Sequence, residues 1–199
     1  MIGDGKRAYL SHWDLGTVIL DVSDPTDPRF LGRTRYRRRE EGNAHSAWTA
    51  QGRNLLIQTD EDFDPYPGPR TGKAWGYARF FDISDPAKPV RLSRFKLPTT
   101  TRLPPPHGFF SVHDSKVRGT RAYLSWYSEG VIVLDISQPA NPKKIAQFVP
   151  PPTADPLGFW GPLVLGSDRP FPFVWGVFVH QGYVLASDIN SGLWVFKLE

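Results

Sequence analysis

The sequence predicts an all-β fold, a β-propeller of four recognisable blades, and three observations lead to it. Residues 8–28 read AYLSHWDLGTVILDVSDPTDP and residues 122–142 read AYLSWYSEGVIVLDISQPANP, with ten identical positions. The second half of this unit recurs at 79–89 as RFFDISDPAKP, and a form without the proline tail, ASDINSGLWVF, occupies 186–196. The 20 prolines and 18 glycines among 199 residues divide the chain into short elements and exclude long helices.

Each repeat contains two strands, a turn and an outer strand. The AYLS piece is apolar and aromatic, which is typical of a strand, and a glycine (Gly16, Gly130 or Gly192) then supplies a tight turn. The apolar runs at 18–20 and 132–134 predict a second strand that neighbouring sheets cover on both faces. The pattern Asp-x-Ser-x-Pro-x-x-Pro predicts a turn that the Asp stabilises, because Asp side chains accept hydrogen bonds from nearby backbone N–H groups. Outer strands are predicted at 29–32, 90–93 and 143–148.

A fourth strand-like segment precedes three of the AYLS-type strands, at 45–49, 107–112 and 175–179. Four short antiparallel strands per repeated unit are typical of propeller blades. A β-sandwich is the structural alternative, but a sandwich does not require such self-similarity.

The repeats predict a single domain over residues 1–199 whose first and last blades are incomplete. No inner strand is evident before Lys6, and the last blade ends after its third strand, at Leu198. We therefore expect the C-terminal portion of a longer propeller with missing N-terminal blades, or self-association that closes the ring. Two insertions rich in Pro and Gly, 61–75 and 150–173, are long enough to be binding lids or disordered segments.

Composition excludes several classes of protein. Hydrophobic residues make up 40% and charged residues 22%, which is typical of a globular chain rather than a disordered one. The absence of cysteine excludes disulfides and thiolate metal sites, and no apolar run is long enough for a transmembrane segment. The net charge of +4 is concentrated in the arginines between 29 and 39, which we interpret as a solvated strand edge. No nucleic-acid motif accompanies them, so nucleic-acid binding is not expected.

The segments VILDVSDPTDP, RFFDISDPAKP and VIVLDISQPANP resemble LVIVD repeats, which are found in propellers of bacteria and archaea. The resemblance extends over nearly all of the chain. It implies the propeller fold and an extracytoplasmic or cell-surface location. The LVIVD family has no agreed biochemical activity, so the resemblance implies no reaction.

The predicted strand order places two sets of residues at one end of the central channel. His45, His107 and Trp175 open the predicted inner strands, and His12, Asp60, Trp126 and Asp188 end the second strands. Because these strands pair antiparallel, all seven side chains are expected to surround the same channel mouth, where propellers commonly bind ligands. We predict ligand contacts for a channel-face set and metal ligands for a histidine set. The channel-face set is Asp60, Trp126, Trp175 and Asp188, and the metal set is His45, His107 and His12, with copper or zinc as the cofactor. The remaining histidines, His113 and His180, are interpreted as turn residues at the opposite face.

A second resemblance concerns residues 107–135, whose pattern is similar to the selenium-binding protein and methanethiol oxidase family. That family has a copper-associated histidine site, with one His opening an inner strand and another following the second strand. The segment Trp126-Tyr127-Ser128-Glu129-Gly130 has no histidine at the second place, and His12 is the nearest substitute.

The acidic segment Asp60-Glu61-Asp62 with Asp64 lacks EF-hand spacing and is interpreted as a solvated loop. No nucleophile elbow, phosphate-binding glycine loop or His-Glu-x-x-His helix is present in the sequence. We therefore favour a non-catalytic binding or scaffold module for a protein or carbohydrate partner, and leave open whether the chain is an enzyme. The alternative is a metal-dependent oxidase or hydrolase with a His site at the channel mouth.

Overall fold

The computed structural model describes residues 2–3, 5–37, 40, 42–50, 52–63, 74–153 and 169–198. These residues form four antiparallel sheets and a short 3-10 helix, Pro98–Thr101. The strands are β1 (Ile2–Gly3), β2 (Arg7–Ser11), β3 (Thr17–Asp21), β4 (Arg29–Arg33), β5 (Ala44–Ala50), β6 (Leu55–Asp60), β7 (Ala78–Asp82), β8 (Val90–Phe95), β9 (Asp114–Arg118), β10 (Arg121–Ser125), β11 (Val131–Asp135), β12 (Lys143–Phe148), β13 (Val174–His180), β14 (Tyr183–Asp188) and β15 (Gly192–Lys197).

Consecutive strands pair within each sheet, so each sheet is an up-and-down meander of the kind that forms a propeller blade. Blade 1 contains β1–β4, blade 2 contains β5–β8, blade 3 contains β9–β12 and blade 4 contains β13–β15. Consecutive blades pack face to face, whereas Leu193 and Val195 of blade 4 are 64% and 56% exposed, so the described sheets do not close into a ring. The prediction of a four-bladed, open propeller is confirmed.

Of the two end blades, only blade 4 lacks a strand among the described residues, whereas the prediction had both incomplete. Blade 1 begins with β1, a two-residue inner strand in which Ile2 pairs with Tyr9 and Gly3 with Ala8, where the sequence had indicated no inner strand. A strand of two residues is too short to show the alternation of apolar and polar side chains by which strands are recognised in a sequence. Blade 4 ends after its third strand, as expected.

The inner strand of blade 3 begins at Asp114 and not in the predicted segment 107–112. Residues 102–113 form an irregular connection with bends at 103–104 and 107–108. Its residues Phe109, Phe110 and Val112 are buried, which explains why the segment has the apolar composition of a strand. Composition alone therefore misplaced this strand, because a buried connection and a strand carry the same apolar signal.

The turns of the repeat form as their residues predict. Gly16 and Gly130 have φ values of 83° and 75°, in the left-handed region that favours glycine. A Cβ at Gly16 would lie 2.5 Å from Oγ1 of Thr34, and one at Gly130 would collide with the carbonyl oxygen of Phe148. The hairpin and the outer strand therefore approach each other too closely for any side chain.

The repeated aspartates stabilise the turn that follows the third strand. The backbone N–H of Ser23 donates to Oδ1 of Asp21 at 2.9 Å, and that of Ser137 donates to Oδ1 of Asp135 at 2.8 Å. Asp82 makes the same contact with Ser84 in blade 2. Repetition of these aspartates thus reflects a turn-stabilising role.

The core lies between neighbouring blades. We call the sheet surface that packs on the next blade along the chain the forward face, and the surface that packs on the preceding blade the rear face. Tyr9, Ile57 and Tyr123 occupy the same position on the forward faces of blades 1, 2 and 3, and each is at most 5% exposed. On the rear faces the matching residues are Leu56 in blade 2, Ala122 in blade 3 and Val184 in blade 4. Alternate residues of each strand therefore serve opposite interfaces, which explains the continuous apolar runs.

Several sequence predictions concern residues outside the described ranges. Most of the two insertions lies there, in segments 64–73 and 154–168, together with Arg38, Arg39 and Asp64. The described arginine Arg29 is exposed and pairs with Asp27, and Arg33 donates to the carbonyl oxygen of Leu15.

The aspartate turns predict a pH dependence of stability. The Ser23 and Ser137 backbone N–H groups lower the pKa of Asp21 and Asp135 below the ordinary value of 3.8. Because the folded-state pKa is lowered, these contacts contribute stability that is fully present above pH 3.8 and is lost as the pH falls through the folded pKa. We expect Asp21→Asn/Asp135→Asn to reduce the slope of unfolding free energy against pH in that acid range, measured by urea unfolding. Parallel curves for variant and wild type would contradict the role of the two carboxylates.

Candidate functional site

The inner strands of blades 2, 3 and 4 begin side by side, and one ring opens each of them: His45, His113 and Trp175. His45 and Trp175 lie where the pairing register shifts, between Ala44 and Ser46 in β5 and between Val174 and Gly176 in β13. His113 immediately precedes β9 and donates its backbone N–H to the carbonyl oxygen of Ser125 at 2.9 Å. The three residues are therefore structural equivalents that meet at one end of the channel.

A row of four aromatic rings crosses this end of the propeller, one ring from each blade. The ring centroids of Trp13 and His45 are 5.6 Å apart, those of His45 and His113 4.4 Å, and those of His113 and Trp175 4.3 Å. Trp13 is 51% exposed and Trp175 38% exposed. His113 between them is buried, so the row has two open ends and a closed centre.

The two histidines face each other through their Nε2 atoms, which are 2.9 Å apart. Nδ1 of His113 lies 2.6 Å from the carbonyl oxygen of Trp175, and a carbonyl oxygen only accepts. Nδ1 of His113 therefore carries the proton, and its Nε2 presents a lone pair when the ring is neutral. Burial, followed by the neighbouring His45, lowers the pKa of His113, which favours the neutral ring.

Glu61 completes the cluster. Its Oε2 lies 3.1 Å from Nδ1 of His45, and its Oε1 accepts a short hydrogen bond from the hydroxyl of Tyr127. Burial and the adjacent Glu61 carboxylate raise the pKa of Tyr127 above its ordinary value, so the phenol remains protonated and donates. One nitrogen from each of His45 and His113 and one oxygen from Glu61 lie within 4.8 Å of one another, which is a separation suited to a metal ion.

Trp13, Glu61 and Tyr127 occupy equivalent positions just after the second strand in blades 1, 2 and 3. Glu61 follows its strand by one residue, and the two other residues follow theirs by two. Trp13 and Tyr127 have φ values of 40° and 33° and form β-bridges with Ala44 and Val174 of the following blades. Glu61 donates its backbone N–H to the carbonyl oxygen of Asn43 at 2.8 Å. These contacts tie the end of each second strand to the start of the next inner strand and turn the side chain toward the channel mouth.

The structure separates the predicted metal ligands. His45 belongs to the cluster, whereas Nε2 of His107 bonds the carbonyl oxygen of Arg169 at 2.7 Å and its ring packs edge-on against Phe171. His12 is exposed in the hairpin between β2 and β3. His113, which the sequence indicated as a turn residue at the opposite face, instead lies beside His45. That interpretation was wrong because β9 begins later than predicted.

Three of the four predicted channel-face residues are buried and engaged within the chain. Asp60 is 2% exposed and binds Arg79 Nε at 2.5 Å and Tyr36 at 2.9 Å. Trp126 is fully buried and donates Nε1 to the carbonyl oxygen of Phe110 at 2.6 Å. Asp188 accepts the backbone N–H groups that follow blade 4's second strand. Of the four, only Trp175 offers an exposed ring.

The acidic segment after β6 is not a solvated loop. Glu61 and Asp62 are 7% and 8% exposed, and the backbone N–H of Asp62 donates to Oγ of Ser111 at 3.0 Å. The interpretation as a solvated loop was wrong. Aromatic residues of blade 3 cover this segment in the folded chain, and because they are distant in sequence, the local sequence gives no sign of this burial.

Sequence reasoning missed His113, Glu61 and Tyr127, although the repeat register carried a usable signal. Trp175 precedes Ser187 by 12 residues, and His113 precedes Ser125 by the same 12. Alignment of blades 3 and 4 on these serines would have placed His113, not His107, at the opening of the inner strand.

Comparison with known proteins agrees with this architecture. The LVIVD repeat model matches residues 4–35 and 111–148. The chain carries LVIVD repeats. The second matched segment contains His113 and Tyr127, and the first contains Trp13. No curated protein sequence matches the chain, and among the described residues no helix is long and apolar enough to cross a membrane.

Two solved structures share the fold. The periplasmic gluconolactonase PpgL of Pseudomonas aeruginosa aligns with a TM-score of 0.60 at 13% identity, over 98% of this LVIVD-repeat chain and 51% of its own. The computationally designed Ika8 protein aligns with a TM-score of 0.51 at 10% identity, over 100% of this chain and 57% of its own. The chain thus spans about half the length of these structures.

The buried Asp60–Arg79 pair predicts a large effect of mutation on stability. Both side chains are at most 3% exposed, so Arg79→Met leaves the Asp60 carboxylate buried without its countercharge. We expect a loss of about 3–5 kcal/mol in unfolding free energy, measured by urea denaturation. The double variant Asp60→Leu/Arg79→Met should recover part of this loss. A single variant as stable as the wild type would contradict a structural role for Asp60.

Proposed function

We propose that this LVIVD-repeat propeller binds a divalent transition metal through His45, His113 and Glu61, and that the bound metal supports hydrolytic chemistry. The observation that carries the proposal is the approach of the two imidazole Nε2 atoms to 2.9 Å. Two neutral rings with their Nδ1 atoms protonated would place two lone pairs face to face. A cation beside the two nitrogens removes that repulsion, as does a proton on one of them.

The surrounding contacts are those of a supported metal centre. Metal-ligating histidines usually donate their second ring N–H to a carbonyl or a carboxylate, which orients the ring. His113 has this contact with the carbonyl oxygen of Trp175, whereas Nδ1 of His45 lies 3.1 Å from Glu61, the third proposed ligand. Tyr127 in turn holds the other oxygen of Glu61. The ligand atoms are therefore oriented before a metal arrives.

The donor set favours zinc among the transition metals. Two imidazole nitrogens and one carboxylate oxygen form the ligand set of several zinc hydrolases, in which a fourth position holds the reactive water. The same set also suits Fe(II). No cysteine exists in the chain, so the soft thiolate ligands that select Cu(I) are missing.

A substrate could reach the metal from the side of His45. The His45 side chain is 29% exposed, whereas that of Glu61 is 8% exposed. Trp13 and Trp175 stand at the two ends of the aromatic row and expose their rings. Exposed indole faces near a metal suit a substrate with an apolar or sugar face.

The same two tryptophans support a second candidate function, non-catalytic binding of a carbohydrate or protein partner. Their exposure does not depend on a metal, so this function would operate in metal-free protein. An extracytoplasmic location remains our expectation for either function. It is supported by what the LVIVD resemblance implies.

Zinc binding tests the leading proposal. Protein purified without a metal-affinity column should bind close to one equivalent of zinc by calorimetry. His45→Ala and His113→Ala should each weaken binding by about 100-fold or more, and Tyr127→Phe by about 10–100-fold, because Tyr127 only orients Glu61. His107→Ala and His12→Ala are matched controls that should bind as the wild type does.

Zinc affinity that is unaffected by His113→Ala, or that is lost in His107→Ala, would overturn this ligand set. If zinc binds as expected, the zinc-loaded protein should hydrolyse an activated ester faster than Glu61→Gln under identical metal concentrations. Binding of copper or iron alone, without hydrolysis, would overturn the hydrolytic assignment.

A glycan array distinguishes the second candidate. If the tryptophans form a carbohydrate platform, Trp175→Ala should lower glycan binding about tenfold or more, because aromatic stacking is lost. The metal-free His113→Ala variant should retain it. Equal binding by the wild type and Trp13→Ala/Trp175→Ala would remove the carbohydrate hypothesis.

A further inference from the structure

The forward face of blade 4 is apolar and uncovered. Phe178, Leu185 and Val195 lie next to one another across the three strands of this blade, and Leu193 lies beside them. Leu193 is 64% exposed, Val195 56% and Phe178 48%. In the part of the chain that the structure describes, no other element packs on this surface.

The same positions are buried in each of the other three blades. The sheet register places Val195 where Ile19, Phe80 and Val133 stand in blades 1, 2 and 3, and these are 0%, 0% and 1% exposed. The position of Leu193 is held by Thr17, Ala78 and Val131, each fully buried. Blade 4 therefore presents one half of the packing interface that joins every pair of consecutive blades.

The rear face of blade 1 presents the other half. Leu10, Val18 and Leu20 occupy this face and are only half-buried. In blade 3 the equivalent residues, Leu124, Ile132 and Leu134, are fully buried against blade 2. Two complementary half-interfaces thus stand at opposite ends of one open row of blades.

We propose that the forward face of blade 4 packs on the rear face of blade 1 of a second copy of this chain, so that two copies close a ring of eight blades. The contact continues the interface already repeated three times within the chain. Its apolar residues match those between blades 2 and 3, whereas the rear face of blade 2 holds Gln58 and Arg79 at two of these positions. Two copies form two such contacts and leave neither half-interface exposed, which satisfies the closure that a head-to-tail interface requires. Eight blades lie within the usual range for propellers.

The length of the similar structures agrees with this arrangement. This chain covers 51% of the gluconolactonase propeller and 57% of the designed protein, so two copies correspond to about one complete structure of this kind. The metal-site residues belong to blades 2 and 3, away from both end faces. The proposed dimer is therefore independent of the proposed metal centre.

Light scattering coupled to size exclusion gives the first test. We expect a mass of twice 22.5 kDa that stays constant over about a hundredfold range of concentration. Leu193→Glu/Val195→Glu should give the monomer mass with unchanged zinc binding. Ile145→Glu is the matched control, because Ile145 is 49% exposed on an outer strand and lies on neither end face.

Disulfide trapping gives the second test, which the absence of cysteine makes unambiguous. Val195→Cys and Leu20→Cys proteins should form a mixed dimer on oxidation when combined, whereas Ile145→Cys with Leu20→Cys should not. A monomer at every concentration without trapping would overturn the proposal. A mass that keeps rising with concentration would overturn the closed ring in favour of an open polymer.

Discussion

Face-to-face packing of each sheet on the next is the interaction on which the rest of this structure depends. Alternate side chains of the middle strands point to opposite neighbours, so a single strand such as β10 serves two interfaces at once, with Tyr123 forward and Leu124 to the rear. Burial of these apolar residues supplies the main driving force for the arrangement. It also sets the distance and angle at which the inner strands converge.

That convergence creates the candidate site. His45 belongs to blade 2 and His113 to blade 3, and they meet only because the two sheets pack together. Glu61 and Tyr127 follow the same logic, since each leaves the end of a second strand and is tied to the next blade. The buried Asp60–Arg79 pair between blades 1 and 2 is a polar counterpart of the apolar contacts. The candidate site and the stability of the fold thus depend on the same interfaces.

The repeat made much of the fold predictable. The glycine turns, the Asp-Ser contacts and the outer strands follow from local residue chemistry, which is why Gly16, Gly130 and Asp135 behave as expected. The inner strand of blade 3 was misplaced because the buried aromatic connection before Asp114 resembles a strand in composition. Around the candidate site a difference of one position is decisive, because in a strand a shift of one residue turns the side chain to the other face. Asp60 is therefore buried between blades while Glu61 faces the channel mouth.

The number of blades, the position of their turns and the apolar character of every sheet can be read from the sequence, because they depend on contacts between residues near one another in the chain. The packing of the blades brings His45, His113 and Glu61 into one cluster and leaves His107 outside it. It also decided which apolar faces are covered and which, at blade 4 and blade 1, are open. The physical reason is that side-chain direction and inter-blade contact depend on exact register and packing, which residue type alone does not encode.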